Sequence, residues 1–108
     1  MNGSFLIPEK FYLSGREIKV LIDDEYLNKK NYHGLSVLHK SVILLCNIFR
    51  GKPLPKTEKE ATFYHELVHM VLYDMADKKI PYAERLKYHE KFVEAFAQRL
   101  YEYEKTKQ

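Results

Sequence analysis

Five consecutive residues, His65-Glu66-Leu67-Val68-His69, carry the spacing H-E-x-x-H. On a helix, residues four apart lie about 40° apart around the axis, so the two imidazoles can aim at one point and hold a single metal ion, zinc above all. Glu66 lies about 100° round from His65, too far for a third ligand but within reach of a water on the same ion, where a carboxylate serves as a base. A hydrolytic zinc takes three protein ligands and keeps one position open for water. A third ligand must therefore come from elsewhere in the chain.

The candidates are Glu90, Glu94, His89 and Asp74. Asp74 would share the helix of the two histidines but lie roughly 180° round from His65. His89 is shifted about 100° from Glu90 towards the middle and far side of an apolar stripe, which reads as a packed histidine. That stripe runs Leu86, Val93, Ala97, Leu100, and Glu90 falls where an apolar residue is due. A buried carboxylate costs several kcal/mol unless it is paired or coordinates a metal, so Glu90 is the preferred third ligand. Glu94 follows one turn later at the same border of the stripe.

Two helices must position these groups. Thr57 and Glu60 fit a capping box that opens a helix over about residues 57–76, with the stripe Ala61, Tyr64, Val68, Val71, Leu72, Met75 and with His65 and His69 along its edge. A second helix over about 82–104 starts near Pro81, tolerated in a first turn. Upstream, Phe11-Tyr12-Leu13, the turn signal Ser14-Gly15, and an alternating stretch with Ile18, Val20 and Ile22 on one face predict a hairpin. Residues 24–30 suit a helical turn or a loop. The cluster Asn31-Tyr32-His33-Gly34 predicts a turn, Leu35-Ser36-Val37-Leu38 an extended segment, and Val42-Ile43-Leu44-Leu45-Cys46 a central strand apolar on both faces. A basic, proline-punctuated loop over 50–56 separates the halves. The expected fold is α+β: one domain over 1–108, with a small, mostly antiparallel sheet of three or four strands in about 5–49, followed by two packed helices.

Composition narrows the function classes. A chain of 108 residues with 45% hydrophobic and 31% charged residues supports one modest core. A formal charge of +3 without a Lys/Arg block longer than two residues gives nucleic-acid binding little support. The single cysteine, Cys46, has no internal disulfide partner and suits a reducing compartment. The N-terminal stretch Met1 to Pro8 lacks a signal-peptide pattern, and no stretch approaches the roughly 20 apolar residues of a membrane span, so a cytoplasmic location without membrane contact is expected.

His65-Glu66-Leu67-Val68-His69 followed 21 positions later by Glu90-Lys91-Phe92-Val93-Glu94 resembles the gluzincin arrangement of thermolysin-type metallopeptidases. The phrases Phe63 to His69 and Glu90 to Ala97, behind N-terminal hairpins, are more specifically similar to short prophage-borne metallopeptidase-like proteins, minimal gluzincins loosely related to the ImmA/IrrE-type peptidases. The resemblance implies Zn2+ on His65, His69 and Glu90, Glu66 as general base, Glu94 hydrogen-bonded to the outer nitrogen of a ligand histidine, and a peptide or protein as substrate. Glu94 departs from that family, which generally has aspartate there. The edge strand nearest the first helix could bind substrate as an added strand. Tyr73, Tyr82, Tyr88, His33 and His39 are open candidates for an oxyanion donor, which a protein partner or a second copy of the chain could supply instead. Two rival readings are a non-catalytic zinc-binding interaction or regulatory module, and metal-free packing in which Glu90 and Glu94 form ion pairs.

Overall fold

The structure, a computed structural model, describes residues 7–108; the expectation for the N-terminal stretch falls largely on residues 1–6, outside the described residues. The predicted hairpin is β1 (Lys10–Leu13) and β2 (Arg16–Ile22), joined through Ser14 and Gly15 at φ 52° and 78°. Positive φ at both turn positions matches the twist of the strands, which explains Gly15. Helix α1 (Asp24–Lys30) follows, capped by the Asp23 side chain, which accepts the Tyr26 amide, and closed by Asn31 in the left-handed region. Strand β3 (Gly34–Val37), one 3-10 turn at Leu38–Lys40 and β4 (Val42–Leu45) complete the sheet.

The order is β1-β2-β4-β3; β1–β2 and β3–β4 are antiparallel, whereas β2 and β4 run parallel with Val20 opposite Ile43. The architecture is the expected α+β, with a sheet that is mixed. β4 occupies a central place, as its apolar run requires, with Ile43 and Leu45 buried. β3 becomes an edge strand. A second, two-stranded sheet overlaps the stretch expected as loop: β5 (Ile48–Phe49) stands just before it, and the turn at Arg50 and Gly51 and β6 (Lys52–Pro53) fall within it.

Helix α2 (Lys56–Asp77) lies between the sheet and the C-terminal helices. Ile18, Ile43 and Leu45 of the sheet, Phe63, Tyr64, Val68, Met70 and Leu72 of α2, and Val93 and Ala97 of the last helix form one buried cluster. A single predicted stripe on α2 was too narrow because the helix is covered on two sides: Phe63 meets Phe11 edge-on at 6.1 Å while Tyr64 packs on Tyr101 at 5.5 Å. Ala61, placed in the stripe, is exposed, and so is Ile22 at the end of β2.

Two local expectations change. The capping box does not form: α2 starts at Lys56 with Pro55 at the cap and no side-chain cap bond. Glu60 is instead buried and accepts a 2.7 Å hydrogen bond from the Tyr101 hydroxyl, tying the start of α2 to the end of the last helix. The helix expected over 82–104 is two, α3 (Ala83–Leu86) and α4 (Glu90–Thr106). Tyr82 takes a left-handed φ of 70°, and His89 begins α4 by accepting the Phe92 amide on Nδ1 at 3.1 Å. This break rephases everything downstream of Leu86. Among the described residues no helix is long and apolar enough to cross a membrane.

Gly34 sets how closely β3 and α2 approach. A Cβ at Gly34 would lie 2.5 Å from Cγ2 of Thr62 and 3.2 Å from the Leu44 carbonyl oxygen. Gly34→Ala should therefore lower stability by about 1–3 kcal/mol, as overpacking does, and Thr62→Ser in the same chain should recover part of the loss; denaturant midpoints of the three proteins read this directly. Burial, with the charges of Glu104 and Glu60 nearby, pushes the Tyr64 phenol up to about 12, and burial with the Glu60 hydrogen bond does the same to Tyr101. A phenol raised above its unfolded value of about 10 favours the folded state below that pH and loses the contribution as pH rises towards its folded value. The denaturation midpoint should fall between about pH 10 and 12, less steeply in Tyr101→Phe.

Candidate metal centre

His65 and His69 stand one turn apart in the middle of α2, with ring centroids 5.0 Å apart. Glu90 reaches both from the first turn of α4: Oε1 lies 3.2 Å from Nε2 of His65, and Oε2 lies 3.1 Å from Nε2 of His69. All three groups offer a donor atom within 4.8 Å of one another, and together they could hold a metal ion.

The outer nitrogens decide the chemistry. Nδ1 of His69 lies 3.1 Å from the Lys87 carbonyl oxygen, which can only accept, so this nitrogen carries the proton. Nδ1 of His65 lies 2.9 Å from Oε1 of Glu94, whose Oε2 accepts from the Gln98 amide at 2.8 Å. An ionised carboxylate is likewise acceptor-only. In the neutral imidazoles both Nε2 atoms therefore present lone pairs to the oxygens of Glu90. Lone pair against lone pair at 3.1–3.2 Å is repulsive unless a cation sits between them or each ring takes a second proton. Ligands about 2.0–2.1 Å from a tetrahedral ion are about 3.3 Å apart, close to these separations. The donor set fits a divalent cation.

The predicted residues thus converge, though not for the predicted reason in each case. Glu90 was expected in a core-facing position, but its side chain is 67% exposed because the helix break makes it the first residue of α4. Glu94 meets the outer nitrogen of His65 in the predicted contact. His89 is no packed histidine but the exposed cap of α4. Asp74 faces away as expected, accepting 2.7 Å from the Ser14 hydroxyl and lying 3.8 Å from Arg16.

Two open clefts of about 460 and 480 Å³ flank the group and share Tyr32, Gly34, His65 and Glu66. The first adds Asn31, His33, Ala61, Thr62 and Glu94. The second adds Leu35, Ser36 and Leu38 on one wall, and Lys87, Tyr88 and Glu90 on the other. Of the open donor candidates, Tyr88 and His33 therefore face a cleft. Tyr73 instead lies against Lys87 and Arg16, Tyr82 lies under Arg85, and His39 sits exposed in the 3-10 turn.

Sequence reasoning missed Ser36 and Lys87. The hydroxyl of Ser36 lies 2.7 Å from Oε1 of Glu66 and 2.9 Å from the Glu66 carbonyl oxygen. Small residues alternating at Gly34 and Ser36 were its available signal, the mark of a strand face pressed against another element. Lys87 acts through its carbonyl, which no side-chain pattern reveals. Its own side chain, 10% exposed, packs between Tyr73 and Tyr88; burial works against its charge, but the Glu84 carboxylate at 3.2 Å outweighs this and holds the ammonium above its ordinary range.

Comparison of the chain with protein-family models, curated proteins and solved structures yields no match. The donor geometry alone makes the following prediction. Calorimetric titration with a divalent cation should give one site per chain, abolished in His69→Ala and weakened roughly 10–100-fold in Glu94→Ala, the usual cost of losing a carboxylate that orients a ligand histidine.

Proposed function

We propose that the chain is a zinc-dependent peptide hydrolase of minimal gluzincin type, with His65, His69 and Glu90 as metal ligands and Glu66 as general base. The observation that carries this reading is the approach of both Nε2 atoms to the two oxygens of Glu90, at 3.2 and 3.1 Å, beside an open cleft that also holds the Glu66 carboxylate. Zinc bound there would bring its water's pKa to about 7 and polarise the substrate carbonyl.

The chain's own residues do the rest. Glu66 accepts a proton from the attacking water as oxygen adds to the carbonyl carbon. It returns that proton to the amide nitrogen as the C–N bond breaks, leaving an acid and an amine. Glu94 holds the His65 ring, and the Lys87 carbonyl holds His69. β3 is an edge strand beside α2, so an extended substrate can pair with its free edge by main-chain bonds. Tyr88, 70% exposed and lining the second cleft with Glu90, is the candidate this reading takes as donor to a developing oxyanion.

Zinc-loaded protein should cut an unstructured polypeptide. Glu66→Gln should bind zinc with the same stoichiometry and cut at least about 100-fold more slowly, the scale of general-base catalysis. Absence of cleavage by the unaltered protein carrying one zinc per chain would remove the hydrolase reading and leave a zinc-binding module.

A further inference from the structure

We propose that Ser36 is a positioning residue for Glu66, and that through it the strand offered to substrate also orients the base; this rests on the role proposed above for Glu66. Gly34 and Ser36 are two apart on β3 and face the same side, while Thr62 and Glu66 are one turn apart on α2. Two strand residues advance about 6.7 Å and four helix residues about 6 Å, so the strand and the helix stay in step over this span. Gly34 meets Thr62 at one end of the span, and Ser36 meets Glu66 at the other.

The absence of a side chain at Gly34 is what lets α2 come close enough for a side chain as short as serine to reach the glutamate. A serine hydroxyl has one proton, and two oxygens of Glu66 lie within its reach: the carboxylate Oε1 at 2.7 Å and the carbonyl at 2.9 Å. That carbonyl lies in mid-helix, where it also accepts the α-helical amide four residues on. The carboxylate bond is the charge-assisted one and the shorter. It fixes a side chain with three rotatable bonds and occupies Oε1, leaving Oε2 as the atom that takes the proton of water. Ser36 belongs to the edge strand, so a polypeptide paired with β3 holds the backbone that carries this hydroxyl. Ser36 and Glu66 also line the same cleft.

The experiment compares the unaltered protein, Ser36→Ala and Ser36→Thr, each loaded with zinc and its zinc content measured, on one unstructured peptide. Ser36→Ala should lower kcat about tenfold with KM within about twofold and zinc content unchanged, and Ser36→Thr, which keeps the hydroxyl, should restore most of kcat. An unchanged kcat in Ser36→Ala, or a loss carried by KM alone, overturns the proposal. Crystal structures of the unaltered and Ser36→Ala proteins give a readout independent of turnover. A Glu66 carboxylate that leaves its single position in Ser36→Ala supports the assignment, and one that stays in place overturns it. If the unaltered protein cuts nothing, the hydrolase reading falls by that result alone, while the carboxylate's position still decides whether Ser36 holds it.

Discussion

An imidazole can turn either nitrogen towards a partner, and here the turn is settled from outside the metal group. The Lys87 carbonyl and the Glu94 carboxylate each engage one Nδ1, and both Nε2 atoms are thereby committed to Glu90. Lys87 lies in the break between α3 and α4 and Glu94 in the second turn of α4, so the orientation of two side chains on α2 depends on how α4 is docked. That docking is secured by Val93 and Ala97 in the core, by Tyr64 against Tyr101, and by the buried Glu60–Tyr101 hydrogen bond. Loosening the helix pair would release the His65 ring and withdraw Glu90 together, because Glu90 and Glu94 both ride on α4.

The sheet supplies the other half of the arrangement. β4 inserts between β2 and β3 and pairs parallel with β2, which leaves β3 at the edge beside α2. An edge beside the helix that carries His65, Glu66 and His69 makes a groove with main-chain groups on one wall and titratable side chains on the other. α1 and the β5–β6 turn support the end of this groove: Asn28 accepts the Arg50 amide and donates to the Ile48 carbonyl, and His33 packs edge-on against Phe49.

Much of this was legible in the chain. The Ser14-Gly15 turn, the central run ending at Cys46 and both long helical segments follow from local rules, because turn chemistry and hydrophobic period act over a few residues. Glu90 illustrates where such rules stop. It was selected as an acid at a core position, yet it is exposed, and the continuous helix that would have buried it is interrupted at Lys87–His89. Tyr82 in a left-handed conformation and His89 as a cap leave little trace in a period of 3.6. Glu60 makes the same point in reverse: its spacing from Thr57 suggested a cap, but a tyrosine 41 positions later offered a buried partner.

The amino-acid order by itself determined that two imidazoles share one helical face with a carboxylate beside them, since the pitch of a helix converts a spacing of four into adjacency without reference to the rest of the molecule. It also determined that a strand apolar on both faces must be covered. Only the tertiary structure decided that Glu90 closes the group, that Lys87 contributes a carbonyl and that Ser36 meets Glu66. Those contacts join segments 18 to 30 residues apart, and their distances depend on how α2 settles against β3 and α4, a packing outcome that no local period encodes.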